Sequence, residues 1–407
     1  MSDPATFTQR DNLRRLSVLI AVNFIDMLGF AIVLPILPFY ALELDATPET
    51  IGWMIASFSI AQLIASPLWG RVSDRYGRRP ALMIGLLASA MAFLVFGLAD
   101  TVWLLFLSRI IQGAGGGTTG VAQAYVSDTV TPADRARALG WLSAATSAGV
   151  MIGPAIGSLA TMLGRQAPGF IAAALCLLNV LAAWKYLPES RTPDATPRPR
   201  KPVWHGAWMA LRHPGGPAER MIWIYGVGML AFSLLTSILA IWLESQFGIT
   251  AKTIGYFFVY FGLLGLVVRS LALGPVVDRI GEVWAMRLGC LSLALGLLLY
   301  PIAPTVWVLV AIIPLVPVGT ALLFPATTSQ LSAATPASEL GTTMGVAQTF
   351  AGIARVLAPI LGTVAYQRIG VHAPFVIGGA IVLLMAWVTF RQVPGPELGG
   401  APSTPVA

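Results

Sequence analysis

Twelve long apolar runs, separated mostly by short polar segments, constrain this chain more than any other feature of its sequence. A helix needs about 20 apolar residues to cross the hydrocarbon core of a bilayer. Hydrophobic residues make up 56% of the 407 residues and charged residues only 11%, whereas soluble domains have about 25% charged residues. The pattern predicts an all-α polytopic membrane protein with transmembrane helices at residues 17–40, 51–69, 80–98, 102–125, 139–161, 168–187, 221–243, 253–273, 285–302, 305–327, 341–365 and 373–390.

The basic residues concentrate on one side of this predicted topology. With the N-terminus placed inside, most of the 25 lysines and arginines fall in the inner loops, as the positive-inside rule requires. We therefore expect a multi-pass protein of the inner (plasma) membrane with both termini in the cytoplasm, and the strong excess of Arg over Lys favours a bacterial source. The net charge of +7 then reflects topology and does not indicate a nucleic-acid partner.

One long loop divides the apolar runs into two sets of six. Residues 188–218 are rich in Pro and Arg and are typical of a cytoplasmic linker. We predict an N-terminal six-helix bundle at 1–187 and a C-terminal one at 219–407. A motif at Gly70–Pro80 recurs in part at Gly274–Glu282, 204 positions later, so the bundles are pseudo-symmetric repeats. Transporters are commonly built from such repeats, with a substrate site near the bilayer midplane.

The motif G-R-V-S-D-R-Y-G-R-R-P, from Gly70 to Pro80, is the densest group of charges in the chain. Gly70 and Gly77 are expected to permit a tight turn at two helix ends. Asp74 is expected to accept hydrogen bonds from backbone N–H groups at a facing helix start, and the arginines to pair with acids on neighbouring helix ends. The alternative is that these charges only set the topology. The second copy has Glu282 in place of the first trailing arginine, so we expect weaker contacts there.

These residues carry a resemblance to the major facilitator superfamily, in its twelve-helix drug–proton antiporter branch, which includes the tetracycline exporters. The order Gly-x3-Asp-Arg-x-Gly-Arg-Arg is similar to the superfamily signature between helices two and three. The resemblance implies a cytoplasmic latch that holds the outward-open state. The implied latch comprises Gly70, Asp74, Arg75, Gly77, Arg78, Arg79 and Asp128, and a second latch comprises Gly274, Asp278, Arg279 and Gly281.

The fifth apolar run resembles the antiporter signature of the same superfamily. It has the spacing Gly140-x8-Gly149-x3-Gly153-Pro154-x2-Gly157, followed by Ser158 where the family usually has another glycine. The last three glycines recur every four residues and share one helix face, which permits close backbone contact, and the proline favours a bend. Small-residue stripes are common in membrane helices, but the full spacing implies exchange rather than uptake.

Asp26 and Arg109 are the candidate proton-coupling residues. Asp26 lies about nine residues into the first helix, on the order of 13 Å from its cytoplasmic end, and intramembrane acids usually mark proton or substrate paths. Its surroundings resemble the first helix of tetracycline exporters. Arg109 matches the superfamily signature in helix four, and since a buried arginine needs a partner, Asp26 is the obvious candidate. A structural hydrogen bond for Asp26 and structural pairing for Arg109 remain the alternatives.

Arg355 in the eleventh run matches no signature of the family. It would either line the cavity of the second half and meet an anionic or polar group of the substrate, or snorkel or pair with a backbone carbonyl. The full set of substrate-cavity candidates is Asn23, Phe30, Gln62, Gln112, Gln123, Tyr256, Tyr260, Gln348 and Arg355.

The predicted function is a secondary active transporter that exports small amphipathic compounds in exchange for protons by alternating access. A proton symporter or organic-anion carrier using Arg355 is the closest alternative, and a membrane receptor or scaffold is a more distant one. We find no nucleophile–base pair, metal cluster or phosphate loop that would indicate an enzyme.

We expect no metal and no cofactor other than the coupling proton. The expected partners are a small-molecule substrate and the lipid bilayer, and the expected oligomeric state is a monomer. Helices three and nine lack acidic residues, so tetracycline is not the expected substrate.

Overall fold

The computed structural model describes residues 9–131, 134–190, 212, 215–336 and 339–392, and within these ranges every regular element is helical. The first part of the chain forms α1 (Gln9–Val33), α2 (Leu37–Leu42), α3 (Pro48–Tyr76), α4 (Arg78–Gly97), α5 (Val102–Gly115), α6 (Thr118–Thr129), α7 (Arg135–Thr161) and α8 (Ala167–Tyr186). The second part forms α9 (Pro217–Phe247), α10 (Ile254–Val267), α11 (Leu273–Leu299), α12 (Val306–Ile312), α13 (Leu315–Ala333), α14 (Leu340–Arg368) and α15 (Ala373–Gln392).

Ten helical stretches in the described ranges are long and apolar enough to cross a membrane. Two differences separate these ten from the twelve predicted runs. The run at 102–125 is divided into α5 and α6 by a turn at Gly116 and Gly117, and it is not among the ten. The runs at 253–273 and 285–302 merge into one helical stretch, Ile254–Ile302, which contains a π-helical segment at Val268–Ala272.

The two copies of the charged motif each break a helix at one glycine. Gly77 has φ +103° and separates α3 from α4, and Gly281 has φ +78° inside α11. L-residues with a side chain rarely adopt such angles, so glycine is needed at both places. The prediction of a turn at Gly70 is wrong, because Gly70 lies inside α3, and Gly274 likewise lies inside α11.

The chain divides into two compact units. Unit 1 comprises Met1–Pro199 with Leu239–Gly262, and unit 2 comprises Arg200–Ile238 with Leu263–Ala407. In unit 1, α1 packs on α7 and α8, and α4 packs on α5 and α8; in unit 2, α11 packs on α13 and α15. The predicted boundaries at 187 and 219 remain predictions, and most of the predicted linker at 188–218 lies outside the described residues.

The core of unit 1 places α1 among its neighbours. Leu19 and Val22 of α1 are buried against Leu82 and Leu86 of α4 and against Tyr125 of α6. This apolar packing surrounds the helix face that carries Asp26, so that carboxylate is held at a fixed position inside unit 1.

Candidate functional site

Asp26 lies inside unit 1, between α1, α4 and α6. Its side chain is 6% exposed, and the Thr118 hydroxyl donates to its Oδ2 atom at 3.1 Å. Ser89 of α4 faces the same carboxyl group. A cavity of about 10 Å³, lined by both Asp26 and Thr118, is no larger than about one water molecule. The carboxyl group is therefore close to enclosed in this conformation.

Two asparagine side chains hold α1 against α7 and α8 one turn before Asp26. Asn23 donates from Nδ2 to Thr146 Oγ1 of α7 at 2.7 Å, and Asn179 of α8 donates to the Val22 carbonyl at 2.8 Å. Asn23, a predicted cavity residue, thus uses its amide for the contact between α1 and α7. The effect is to fix the rotation of α1 and the direction in which Asp26 points.

Arg109 is buried in α5 but does not pair with Asp26. It is 1% exposed, its guanidinium carbon lies 5.8 Å from the centre of the Phe96 ring, and its Nη2 atom has no hydrogen-bond partner among the described residues. Thr118, which contacts Asp26, begins α6, whereas Arg109 lies on α5 before the turn at Gly116 and Gly117. No ion pair joins Arg109 to Asp26 in this conformation.

The glycine stripe of α7 forms the contact surface for α1. A Cβ atom added at Gly149 would lie 2.7 Å from the Phe24 carbonyl oxygen, and one at Gly153 would lie 2.8 Å from that of Leu28. Gly157 meets the backbone of Ile32 in the same way, whereas Gly140 has open space around it. Three of the four glycines therefore allow α7 to pack directly against the backbone of the helix that carries Asp26.

Ser158 follows this stripe and has two specific contacts. It is 4% exposed, it donates to the Ala251 carbonyl at 2.9 Å, and it accepts from the Gly255 N–H at 2.8 Å. Both partners belong to unit 1. A glycine in this position would leave that carbonyl and N–H without these bonds.

Arg78 is the centre of the charged motif in unit 1. It is 7% exposed and contacts Asp74 at 2.8 Å and Asp128 at 2.9 Å. Its Nη1 atom also donates to Ser73 Oγ at 2.7 Å. These bonds join the end of α3, the start of α4 and the end of α6, while Arg71 and Arg75 are exposed.

Glu189 performs the role that the sequence analysis assigned to Asp74. Its carboxylate accepts from the backbone N–H of Arg78 at 2.8 Å and from that of Arg79 at 3.1 Å. An anion at this place is favoured by the unpaired N–H groups of a helix start. Asp74 instead pairs with Arg78. Glu189 was missed because it lies at the start of a segment interpreted only as linker.

The second copy of the motif uses different chemistry to make a related connection. Glu282 follows Gly281 as Arg78 follows Gly77, and it accepts from Ser329 Oγ at 2.5 Å and from Gln330 Nε2 at 2.7 Å. It therefore joins α11 to the end of α13 through neutral donors, while Asp278 and Arg279 are exposed.

Unit 2 contains an aromatic cluster next to Arg355. Tyr225 of α9 accepts from Gln348 Nε2 of α14 at 3.3 Å and packs edge-on against Phe324 of α13 at 5.3 Å. Phe232 lies against the same Phe324 ring. Tyr225 was absent from the predicted cavity residues, since nothing in its local sequence distinguishes it from an interface tyrosine.

The remaining predicted cavity residues do not form one group. Phe30 packs against Phe58, and Gln62 donates to the Gly116 carbonyl at 3.1 Å, where α5 ends. Gln112 is buried on α5 one turn from Arg109, and its Oε1 atom has no partner among the described residues. Gln123 and Tyr256 are exposed, and Tyr260 is half-buried.

Comparison with known proteins identifies relatives over nearly the whole chain. The family model described as Major Facilitator Superfamily matches residues 19–270 and 221–406. Multidrug resistance protein 1 of Bacillus subtilis (strain 168) is 31% identical over 384 residues, which cover 91% of this chain and 96% of that protein. The class C tetracycline resistance protein of Escherichia coli is 28% identical over 360 residues, covering 86% and 89% of the two chains.

Solved structures share the fold at lower identity. The human organic anion transporter MFSD10 (TETRAN) aligns with a TM-score of 0.69 and 22% identity, covering 93% of this chain and 99% of that one. The nucleoside transporter NupG aligns with a TM-score of 0.74 and 14% identity, covering 93% of this chain and 98% of that one.

Proposed function

Because this chain belongs to the major facilitator superfamily, we propose that it is a secondary transporter that exports small amphipathic compounds in exchange for protons. Support comes from relatives named for multidrug and tetracycline resistance, and above all from the enclosed carboxylate of Asp26. An ionised carboxylate inside a membrane protein is costly and usually marks a proton or substrate path.

In the proposed cycle, Asp26 takes up a proton in the outward-facing state and releases it in the inward-facing state. Thr118 donates a hydrogen bond to the charged form and so lowers the cost of the proton-free state that accepts substrate. A proton that moves down one pH unit supplies about 1.4 kcal/mol. That energy supports a roughly tenfold gradient of an uncharged substrate.

The close packing of α7 on α1 supports coupling between this carboxylate and a change of helix packing. Gly149 and Gly153 meet the α1 backbone within two turns of Asp26, so a displacement of α7 must displace α1. We propose that the Arg78 cluster stabilises one end of the cycle as a latch. It joins three helix ends of unit 1 and must rearrange if those ends separate.

The proposed setting is the plasma membrane of a bacterium, with both termini in the cytoplasm and a single chain as the working unit. The distribution of basic residues supports this orientation. The proposed mechanism uses the coupling proton and needs no metal or organic cofactor.

The test replaces Asp26 by Asn in the full-length chain, reconstituted in proteoliposomes. Export of a compound identified by a resistance screen should no longer respond to a pH gradient, while movement down the compound's own gradient persists. Asp100→Asn is the matched control, because Asp100 is exposed. Export by the Asp26→Asn protein that still follows the pH gradient would overturn the proposal.

The second candidate is a proton symporter that takes up organic anions, supported by the position of Arg355 within α14. Everted vesicles distinguish this symporter from the proposed exporter. A proton gradient that is acidic inside should drive accumulation of the compound by an exporter and oppose it by a symporter.

A further inference from the structure

Arg355 lies at the middle of a membrane-spanning helix. It follows Leu340 by 15 residues and precedes Arg368 by 13 in α14. At 1.5 Å per residue, each helix end is roughly 20 Å away. The side chain is therefore too deep to reach either membrane surface in the way that arginines near helix ends do.

The helix face of Arg355 is opposite the face that the chain presents to lipid. Gln348 precedes Arg355 by seven residues and so lies about 20° from it around the helix. Ile353 and Leu357, which are 43% and 44% exposed, each lie roughly 160° away. Arg355 is only half-buried, and its accessible part therefore lies on the polar, protein-facing side of α14.

Arg355 has no charge partner among the described residues of its own unit. Among the residues that the structure describes, no hydrogen bond or ion pair involves its guanidinium group, and none of its nitrogens is both fully buried and unsatisfied. This removes the alternative of a bond to a backbone carbonyl. The charged head group therefore lies half-buried on its own face of α14 without a hydrogen-bond or ion-pair partner among the described residues.

The carboxylates in the described part of unit 2 lie at helix starts or at the break inside α11. In the described part of unit 2 they are Glu219 in the first turn of α9, Asp278 and Glu282 beside Gly281, and Glu339 at the start of α14. Glu339 precedes Arg355 by 16 residues, roughly 24 Å along the helix. An arginine at the middle of a membrane-spanning helix without an anion partner in the described part of its own unit is costly, and an anionic group on a bound compound would reduce that cost.

The aromatic side chains around Arg355 are suited to contact the apolar part of a bound anionic compound. Gln348, on the Arg355 face of α14, donates to the Tyr225 hydroxyl at 3.3 Å, and the Tyr225 ring leads to Phe324 and Phe232. Gln348 adds an exposed amide on the Arg355 face. A cation beside flat apolar rings is suited to an aromatic or otherwise hydrophobic anion.

We propose that Arg355 is the counter-ion for a carboxylate or similar anionic group on the transported compound, so that the substrates are amphipathic organic anions. This inference rests on the proposed function as a transporter and assigns the specificity of its C-terminal half. Tyr225, Phe324 and Phe232 form the apolar part of the same subsite.

The experiment measures binding of three matched fluorescent probes to the full-length protein in lipid nanodiscs, with empty nanodiscs subtracted. Pyrenebutyrate, pyrenebutanamide and pyrenebutylammonium have the same ring and chain and differ in the charge of the head group. The parent protein should bind the carboxylate about tenfold or more tightly than the amide, and the ammonium most weakly.

Variants connect this preference to Arg355. In Arg355→Gln the carboxylate and the amide should bind equally, and in Arg355→Lys part of the preference should remain because the charge is kept but the planar fork is lost. Arg269→Gln is the control, since Arg269 is an exposed arginine in the same unit. Unchanged amide binding by Arg355→Gln shows that the variant is folded.

Two results would overturn the inference. One is a parent protein without anion preference, including one that binds no anionic probe, and the other is a preference that survives Arg355→Gln. Neither result bears on Asp26. A protein that exports only cations or neutral compounds under a pH gradient would retain the proposed function and lose the assignment of Arg355.

Discussion

At the scale of single residues, Gly77 has two separate reasons to be glycine. Its φ of +103° is unfavourable for any residue with a side chain, and an added Cβ would collide with the Glu189 carboxylate. That carboxylate accepts from two backbone N–H groups at the start of α4. Gly164 has φ +123° with open space around it, so its backbone angle requires glycine but an added Cβ would not collide with any neighbour.

We therefore predict that Gly77→Ala destabilises the protein more than Gly164→Ala does. The backbone strain costs roughly 1–2 kcal/mol in both variants. Displacement of Glu189 should add about 1–2 kcal/mol, because hydrogen bonds to a charged group are stronger than neutral ones. Thermal unfolding in detergent measures the difference, and equal shifts in the two variants would contradict a structural role for Glu189.

Two residues whose roles depend on distant parts of the chain, Glu189 and Tyr225, were missed by sequence reasoning. Asp128 could be found because the family motif specifies an acid at the end of helix four. Glu189 and Tyr225 could not, since their roles depend on which helix ends and rings lie beside them. Asp26 and Arg109 were both recognised as buried ionisable groups, but the sequence did not show that Asp26 would lie beside Thr118 and Arg109 beside Phe96.

At the scale of helices, the contact between α1 and α7 depends on the absence of side chains. We predict that Gly153→Val separates the two helices, because its side chain would occupy the space of Ala31 and of the Leu28 carbonyl. Overpacking of this kind typically costs about 1–3 kcal/mol, and proton-driven export should fall with it.

Gly140→Val on the same helix is the matched control. Gly140 is exposed and has open space around it, so thermal stability and export should stay close to the parent values. Similar losses in both variants would mean that the valine acts through α7 itself and not through α1.

Helix positions followed from the apolar runs, and the break at Gly77 was predicted from the charged motif and is confirmed, but the other helix breaks were not predicted. The break between α3 and α4 and the one inside α11 each depend on one glycine with positive φ, and the division of α5 from α6 falls at Gly116 and Gly117. The motif did not show that Gly77 and not Gly70 leaves helical geometry, and the chain has 41 glycines. That choice depends on distant neighbours such as Glu189 beside Gly77.

At the scale of the whole molecule, the two proposals together determine how transport responds to voltage. Inward movement of one proton and outward movement of one monovalent anion shift charge in the same electrical direction. The cytoplasmic side is negative in a living cell, so both movements are favoured. Each charge contributes about 2.3 kcal/mol per 100 mV, and the two together about 4.6 kcal/mol per 100 mV.

We therefore predict that a membrane potential alone drives export of pyrenebutyrate at equal pH on both sides. A potassium diffusion potential of about 100 mV, negative on the cytoplasmic side, should support a gradient of up to about three orders of magnitude. Proteoliposomes with valinomycin measure this accumulation, and reversing the potassium gradient should abolish it.

Asp26→Asn should reduce the response, because only the charge of the anion would then move. Export that ignores the potential would mean that each exported negative charge leaves with a compensating positive charge, which contradicts proton exchange for an anion.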